Sequence, residues 1–152
     1  MTATGRLLAL MLDEQRYGLD LAAVEEVVRA VAVTPLPDAP DIVTGIVNVR
    51  GRVVPVVDIR RRFGLPVRTA TLADQLIVAT TARRSVAFVV DAVTDVLEWA
   101  ERDVVAADAI VPGLGYLQGV AKLADGMVLI HDLDSLLSLD ERQSLDRLLP
   151  GC

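Results

Sequence analysis

The chain has 152 residues, of which 53% are hydrophobic and 3% are aromatic, and its formal net charge is −6 at pH 7. This length suits one domain, or two small subdomains that share a core. Because binders of nucleic acids and of anionic membranes need basic surfaces, the acidic balance argues against both functions. No apolar run reaches the roughly 18 residues of a membrane span, and the first residues lack the apolar region of a signal peptide. We therefore expect a cytoplasmic protein that does not insert into a membrane.

The first third of the chain predicts short strands. Apolar residues at 6–12 and 16–20 flank a polar break, which indicates a hairpin. Residues 21–29 are ambiguous, because some of their apolar residues have helical spacing while several are β-branched valines. A short helical turn followed by a strand is favoured. Three prolines after residue 34 predict a loop, and Pro40 could also begin a short helical turn.

Residues 45–59 form the most informative segment, Gly45-Ile-Val-Asn-Val-Arg-Gly-Arg-Val-Val-Pro-Val-Val-Asp-Ile59. Two β-type runs flank a tight turn at Arg50-Gly51-Arg52, where the glycine can supply a positive φ. The hairpin would hold a guanidinium at its tip, which suggests a binding surface rather than a catalytic one. Residues 60–63 predict a short helical turn, and its three arginines are either an ordinary solvated surface or a docking site for an acidic protein.

The second half of the chain also predicts strands, at 75–81, 85–97, 116–124 and 127–131. The first two pair across a short turn, and the last two flank Asp125-Gly126, a strong hairpin signal. We expect the second of these strands to be long and partly buried on both faces. An irregular polar connection is predicted over 99–115.

The tail predicts a helix at about 132–149, in which Ser138 and Glu141 have capping-box spacing. A pattern of strand, glycine turn, strand, aspartate and helical turn occurs at 45–63 and again at 116–137. With nine or ten short strands in total, the sequence favours small barrels or a sandwich made of two similar β-subdomains.

Candidate catalytic and metal-binding groups are few. His131, the single histidine, precedes Asp132 and could act as a general base, but a strand-end histidine without chemistry is the favoured interpretation. Asp91 and Asp95 would share one face of a strand, and a solvated face is favoured over a Mg²⁺ site. One histidine and the lone Cys152 do not make a zinc site. The sequence therefore predicts a protein that is not an enzyme and uses no cofactor or metal.

Ordered motifs cover about residues 6–138, and each is weak alone while the set is specific. They are, in chain order, Tyr17-Gly-Leu-Asp20, Val24-Glu-Glu-Val27, Pro35-Leu-Pro37, Gly45-Ile-Val-Asn-Val-Arg-Gly51, Val54-Pro-Val-Val-Asp-Ile-Arg60 with Phe63-Gly64, Val89-Val-Asp-Ala-Val-Thr-Asp-Val-Leu97 and Gly119-Val-Ala-Lys-Leu123. By these motifs the chain resembles the CheW family of chemotaxis coupling proteins.

The resemblance implies a mostly β fold of two SH3-like five-stranded β-barrel subdomains around a shared hydrophobic core, with short helices and a C-terminal helix. Residues 1–152 would form a single CheW-like domain. The implied function is a non-catalytic adaptor or scaffold that couples methyl-accepting chemoreceptors to the CheA histidine kinase in the cytoplasm. One surface would contact the CheW-like regulatory domain of the kinase, and another the cytoplasmic tip of the receptor. There are two alternatives. One is an adaptor of a non-flagellar chemosensory pathway, and the other is a small-ligand sensor that uses the groove between the barrels.

The resemblance also implies five protein-binding residues, namely Val24, Glu26, Gly45, Arg50 and Val96. Other roles stay open for three of them, because the two valines could simply pack in a core and the glycine could relieve backbone strain. Charged side chains on short strands seldom serve a core, which favours the glutamate and the arginine. Whether Arg50 faces the kinase, the receptor or a carboxylate within the chain is left open.

Overall fold

Short strands joined by tight turns make up most of the fold. The computed structural model describes residues 4–29, 32–68, 71, 73–106, 117–123, 126–135 and 137–149. The strands are β1 Thr4–Leu12, β2 Gln15–Asp20, β3 Val24–Arg29, β4 Val43–Val49, β5 Arg52–Val57, β6 Gln75–Thr80, β7 Ser85–Val90, β8 Ala92–Ala100, β9 Val104–Ala106, β10 Leu117–Leu123 and β11 Gly126–His131. The α-helices are α1 Ile59–Arg62 and α2 Leu139–Leu148, and single 3₁₀ turns lie at Leu21–Ala23, Glu101–Asp103 and Leu133–Ser135.

The strands form two sheets. The six-stranded sheet has the order β8-β1-β2-β11-β10-β9, and the five-stranded sheet has the order β3-β6-β7-β5-β4. One continuous stretch of chain builds the five-stranded sheet, whereas both ends of the chain build the other. The predicted mostly β fold of two strand groups is confirmed. One sheet has six strands instead of five because Val104–Ala106, predicted to be irregular, pairs with β10.

Most of the predicted hairpins are confirmed. β1 pairs with β2, β4 with β5, β6 with β7 and β10 with β11, all antiparallel. The ambiguous segment at 21–29 is a 3₁₀ turn followed by a strand, as favoured. Asp125, half of the predicted turn signal before β11, lies outside the described residues.

The predicted long strand at 85–97 is wrong, because the chain changes sheets at Asp91. β7 ends at Val90 in the five-stranded sheet, and β8 begins at Ala92 in the six-stranded sheet. The Asp91 amide donates to the Met11 carbonyl at 3.1 Å, which attaches the crossing residue to β1. β7 is largely buried, as expected, but most of β8 is at least partly exposed.

The repeated pattern in the sequence is confirmed as a structural repeat. In each copy the second hairpin strand pairs in parallel with a strand of its own sheet, β5 with β7 and β11 with β2. An aspartate then caps the turn that follows. The Asp58 carboxylate accepts from the Arg61 amide at 3.1 Å, and the Asp132 carboxylate accepts from the Asp134 amide at 3.1 Å.

One hydrophobic core lies between the two sheets, and each sheet also has a separate core of its own. Strand alternation divides the side chains of β6, because Ile77 and Ala79 face the shared core while Leu76 and Val78 face the core of the five-stranded sheet. The shared core contains Leu8, Leu10, Leu12, Tyr17, Leu19, Ile59, Ile77, Ala79, Phe88, Val90 and Leu133, which come from both sheets. Burial of this apolar surface is the main force that holds the sheets together.

The C-terminal helix is shorter than predicted. Its sequence predicts one helix at about 132–149, but the structure has a 3₁₀ turn at Leu133–Ser135 and then α2. The break lies at Ser138, whose extended backbone and capping box with Glu141 begin a new helix, as the spacing predicts. Leu145 of α2 is buried against the five-stranded sheet.

Candidate protein-binding site

Four of the five predicted site residues lie in the five-stranded sheet. Val24 and Glu26 are on β3, Gly45 is on β4, and Arg50 is at the turn between β4 and β5. Val96 lies on β8, at an edge of the six-stranded sheet. The predicted residues therefore form two locations, one on each sheet.

Arg50 lies at the tip of a rigid two-residue turn. Arg50 has φ +52° and Gly51 has φ +85°, a pair of positive values that is typical of a type I′ hairpin turn. The Asn48 side chain accepts a hydrogen bond from the Gly51 amide at 2.8 Å, which stabilises the turn. Arg52, predicted to be part of the turn, is the first residue of β5. The turn therefore projects Arg50 from a fixed backbone.

Arg50 contacts a carboxylate of its own chain only loosely. Its Nε lies 3.6 Å from Oε1 of Glu26, which is longer than an ordinary hydrogen bond. The Arg50 side chain is 81% exposed, and that of Glu26 is 21% exposed. An exposed guanidinium gains little stability from so long a contact. The two charged residues that the sequence singles out are thus brought together, and the guanidinium keeps most of its surface in solvent.

The neighbouring Arg52 is held much more firmly. It donates to Glu25 at 2.9 Å, and the same carboxylate accepts from the hydroxyls of Thr80 at 2.7 Å and Ser85 at 2.8 Å. The hydrogen bond from Arg52, followed by that from Thr80, lowers the pKa of Glu25 to about 2. Two arginines of one hairpin therefore differ in role, since Arg52 links strands of the sheet while Arg50 remains available.

Gly45 has a structural reason to be glycine. It is buried, and a Cβ at this position would lie 2.2 Å from the carbonyl oxygen of Thr34. That close approach exists because Ile46, the next residue, pairs with Thr34 through backbone hydrogen bonds of 2.9 and 2.8 Å. Gly45 therefore positions β4 and carries no side chain that could contact a partner.

The two valines differ in exposure. Val24 is half-buried and packs against the shared core. Val96 is 49% exposed, opposite Leu8 of β1. Val96 is therefore the one of the pair with an accessible side chain.

Val53 is an exposed apolar residue that the sequence analysis did not single out. It is 39% exposed and lies three positions after Arg50. The hairpin register could have predicted this exposure, because Val53 pairs with the exposed Asn48 and cross-strand partners share a face of the sheet. It adds an exposed apolar side chain to the hairpin that carries Arg50.

Two of the three arginines at 60–62 are paired within the chain, so neither a solvated surface nor a docking site describes the whole run. Arg60 pairs with Asp13 and Asp91, and Arg62 pairs with Glu141 of α2. Only Arg61 of the three is largely exposed, and its nearest carboxylate oxygen is 3.6 Å away on Asp41.

Of the groups considered for catalysis or metal binding, the histidine is buried against aromatic rings, and the two aspartates have different partners. His131 is buried and stacks on Phe63, with 3.9 Å between ring centroids, beside Tyr17. Asp91 lies at the sheet crossing, whereas Asp95 accepts from the adjacent Thr94 hydroxyl on β8. Among the described residues, no group of three histidine, cysteine or acidic side chains is placed to hold a metal ion. No described helix is long and apolar enough to cross a membrane.

Two sheets with a shared core and an exposed arginine on a rigid turn define a class of protein, the small β-module that presents a binding surface. Comparison with known families makes this specific. Residues 6–141 match the model of the CheW-like domain, and the chain belongs to that family.

Relatives of similar length support this assignment. Chemotaxis protein CheW of Rhizobium meliloti is 33% identical over 147 residues, which cover 95% of each chain. Chemotaxis protein CheW of Klebsiella aerogenes is 31% identical over 95% of this chain and 89% of its own. The crystal structure of the scaffolding protein TtCheW from Thermoanaerobacter tengcongensis superposes with a TM-score of 0.82 at 29% identity, covering 91% of this chain and 96% of that one.

Proposed function

We propose that the chain is a non-catalytic chemotaxis adaptor that acts in the cytoplasm. It couples methyl-accepting chemoreceptors to a CheA-type histidine kinase by binding both. Family membership and the names of the relatives, chemotaxis protein CheW and a scaffolding protein, support the adaptor role. An adaptor of a non-flagellar pathway would use the same surfaces with other partners.

The observation that carries the proposal is the exposure of Arg50. A guanidinium that is 81% exposed on a rigid turn costs little backbone entropy to dock, because its backbone is already fixed. Glu26 lies 3.6 Å from Arg50, and Val53 adds an exposed apolar side chain to the same hairpin. Arginine is enriched among the residues that dominate protein interfaces.

A second surface on the other sheet gives an adaptor its second partner. Val96 lies on the edge strand β8 and is 49% exposed. We assign Val24 and Gly45 to support of the first surface, since Val24 packs against the core and Gly45 positions β4. The partners are the CheW-like regulatory domain of the kinase and the cytoplasmic tip of the receptor, and no nucleic acid or cofactor takes part.

Arg50→Ala tests the first surface. We expect one partner to bind with a loss of about 2 kcal/mol, or about thirty-fold in Kd, the size typical of an interface arginine at a hot spot. Titration of the purified chain with the kinase regulatory domain and with a receptor-tip fragment measures this and shows which partner uses the surface. The melting temperature should change little, because Arg50 is exposed and its contact with Glu26 is long.

Arg61→Ala is the matched control, because Arg61 is also exposed and also 3.6 Å from a carboxylate. It should leave both affinities unchanged. The exchange of Glu26→Arg with Arg50→Glu separates two causes of any loss. If binding returns in the exchanged protein, the loss came from the broken ion pair, and direct docking of Arg50 is wrong. Equal affinities of Arg50→Ala and the parent for both partners would also contradict the proposal.

A further inference from the structure

The chain crosses between the sheets at Asp91, and a set of charged side chains surrounds this crossing. We call it the junction network, and it consists of Asp13, Arg60, Arg68, Asp74 and Asp91. Successive members are opposite in charge and in hydrogen-bond contact, in the order Asp13, Arg60, Asp91, Arg68, Asp74. Nothing in the binding surfaces described above uses these groups.

The Asp91 carboxylate receives groups from both sheets. From the β1–β2 turn of the six-stranded sheet, the Asp13 amide donates at 3.0 Å. From α1, which follows β5, Arg60 donates at 2.8 and 3.0 Å. Arg68, in the connection to β6, donates at 2.6 Å. One carboxylate therefore holds a turn of one sheet to two arginines that belong to the other.

The network is partly withdrawn from water, which strengthens its contacts. The Arg60 side chain is 12% exposed, that of Asp91 is 27% exposed, and Asp74 is 3% exposed. Burial opposes ionisation of Asp91, but hydrogen bonds from Arg60, the Asp13 amide and Arg68 outweigh it and hold the pKa of Asp91 below its ordinary value. Bonds between charged groups in such places are directional as well as strong.

A second polar contact crosses between the sheets beside the network. The side-chain oxygen of Gln75, the first residue of β6, accepts from the Val93 amide of β8 at 2.7 Å. Val93 pairs with Leu10 of β1 next to an irregularity in the register. Asp91 and Val93, the two ends of the segment that crosses between the sheets, are therefore each hydrogen-bonded across the boundary between the sheets.

Apolar packing holds the sheets together, but hydrophobic attraction is not itself directional, whereas hydrogen bonds between charged groups are. We propose that Asp91, with Arg60 and Gln75, sets the orientation of the six-stranded sheet relative to the five-stranded sheet. The junction thus acts as a positioning device, and it fixes the Val96 surface relative to the Arg50 surface. The orientation claim stands without the proposed adaptor function, and only its consequence for two simultaneous partners rests on that function.

Distances between spin labels on the two sheets test the orientation. Cys152→Ser removes the native thiol, and cysteines then replace Val53 and Met127, which are exposed on β5 and β11. We expect Asp91→Asn to broaden the distribution of distances between the two labels in the full chain. Asp95→Asn is the matched control, because Asp95 lies four residues on and accepts from the adjacent Thr94 hydroxyl on β8. It should leave the distribution unchanged.

Two milder variants keep the test decisive if Asp91→Asn does not fold. Gln75→Ala removes the second cross-sheet contact, and Asp13→Asn removes one carboxylate from Arg60 while asparagine tolerates the positive φ of +49° at this position. Each should broaden the distribution. Narrow distributions that match the parent in every folded variant would overturn the proposal, even if melting temperatures fell.

Binding measurements separate this proposal from the adaptor function. Asp91→Asn should bind each partner singly with the affinity of the parent, because both surfaces remain intact. If the proposed function holds, the ternary complex should weaken relative to its two binary complexes. A broadened distance distribution with unchanged ternary binding would keep the orientation claim and overturn its functional consequence.

Discussion

Arg50 and Arg60 both pair with carboxylates of their own chain, yet their surroundings differ. The Arg50 side chain is 81% exposed and 3.6 Å from Glu26, whereas that of Arg60 is 12% exposed and donates to Asp13 and Asp91 at 2.8 Å. The exposed guanidinium has one long contact that is cheap to separate, so it remains accessible to another protein. The mostly buried guanidinium has short contacts to two carboxylates, and its removal is costly because both are left without their partner.

Arg52 lies between these two cases. It is exposed in part, but its carboxylate partner Glu25 has two further hydrogen bonds, from Thr80 and Ser85. The number of partners and the burial of the guanidinium, not the residue type, therefore separate an accessible arginine from a structural one. Arg60→Ala and Arg52→Ala test this distinction, and Gly45→Ala tests the role assigned to the glycine.

Arg60→Ala should destabilise the protein most. Removal of the guanidinium leaves Asp13 and Asp91 without their shared partner, and we expect a loss of about 3 kcal/mol, the lower end for a broken buried pair because both carboxylates are partly exposed. Urea denaturation monitored by circular dichroism measures the free energy of unfolding. Arg61→Ala is the control and should stay within about 0.5 kcal/mol of the parent. Equal losses in the two variants would break the comparison.

Gly45→Ala should have the next largest effect. The added methyl group would lie 2.2 Å from the Thr34 carbonyl, so the chain must shift, and we expect a loss of about 2 kcal/mol from the strain. Gly51→Ala meets no atom within 4 Å but keeps a φ of +85°, which costs about 1 kcal/mol. A larger loss in Gly51→Ala than in Gly45→Ala would refute the packing role of Gly45. The same denaturation experiment compares them.

The Glu25–Arg52 pair should make a small, pH-dependent contribution to the free energy of unfolding. Its folded pKa of about 2 lies below the ordinary value of 4.5. The stabilisation is therefore fully present above about pH 4.5 and is lost as the pH falls through about 2. Because the Arg52 side chain is about half exposed, we expect the loss of stability to be small.

NMR titration of the Glu25 side-chain carboxyl carbon measures this pKa directly. Arg52→Ala removes the hydrogen bond that contributes most, so the titration midpoint should rise toward 4.5. A midpoint that stays near 2 in this variant would show that Thr80 and Ser85 suffice without the arginine. In that case Arg52 would belong with Arg50 among the available side chains.

Local sequence signals predicted much of the fold and part of the site. The glycine after Arg50 and the alternating valines predicted the hairpin and the position of the guanidinium, since both depend on a few neighbouring residues. The capping-box spacing of Ser138 and Glu141 predicted where α2 begins. The motif order predicted the family that the comparison confirmed.

The break at Asp91 could not be predicted in this way. The segment around it is a continuous β-type run without glycine or proline, so its local propensity favours one long strand. What divides it is the attachment of Asp91 to Met11 and Asp13, residues about eighty positions earlier in the chain. Likewise, the proximity of Glu26 and Arg50 depends on how distant strands of one sheet approach each other.

The hairpins, turns, helix cap and family of this protein follow from its sequence alone, because they depend on propensities and motifs read along the chain. Which arginine is exposed and which is held by carboxylates is a property of the tertiary structure. That property depends on burial and on carboxylates contributed by distant segments, such as Asp13 and Asp91 for Arg60. Neighbouring arginines of identical chemistry therefore receive different roles only when the chain folds.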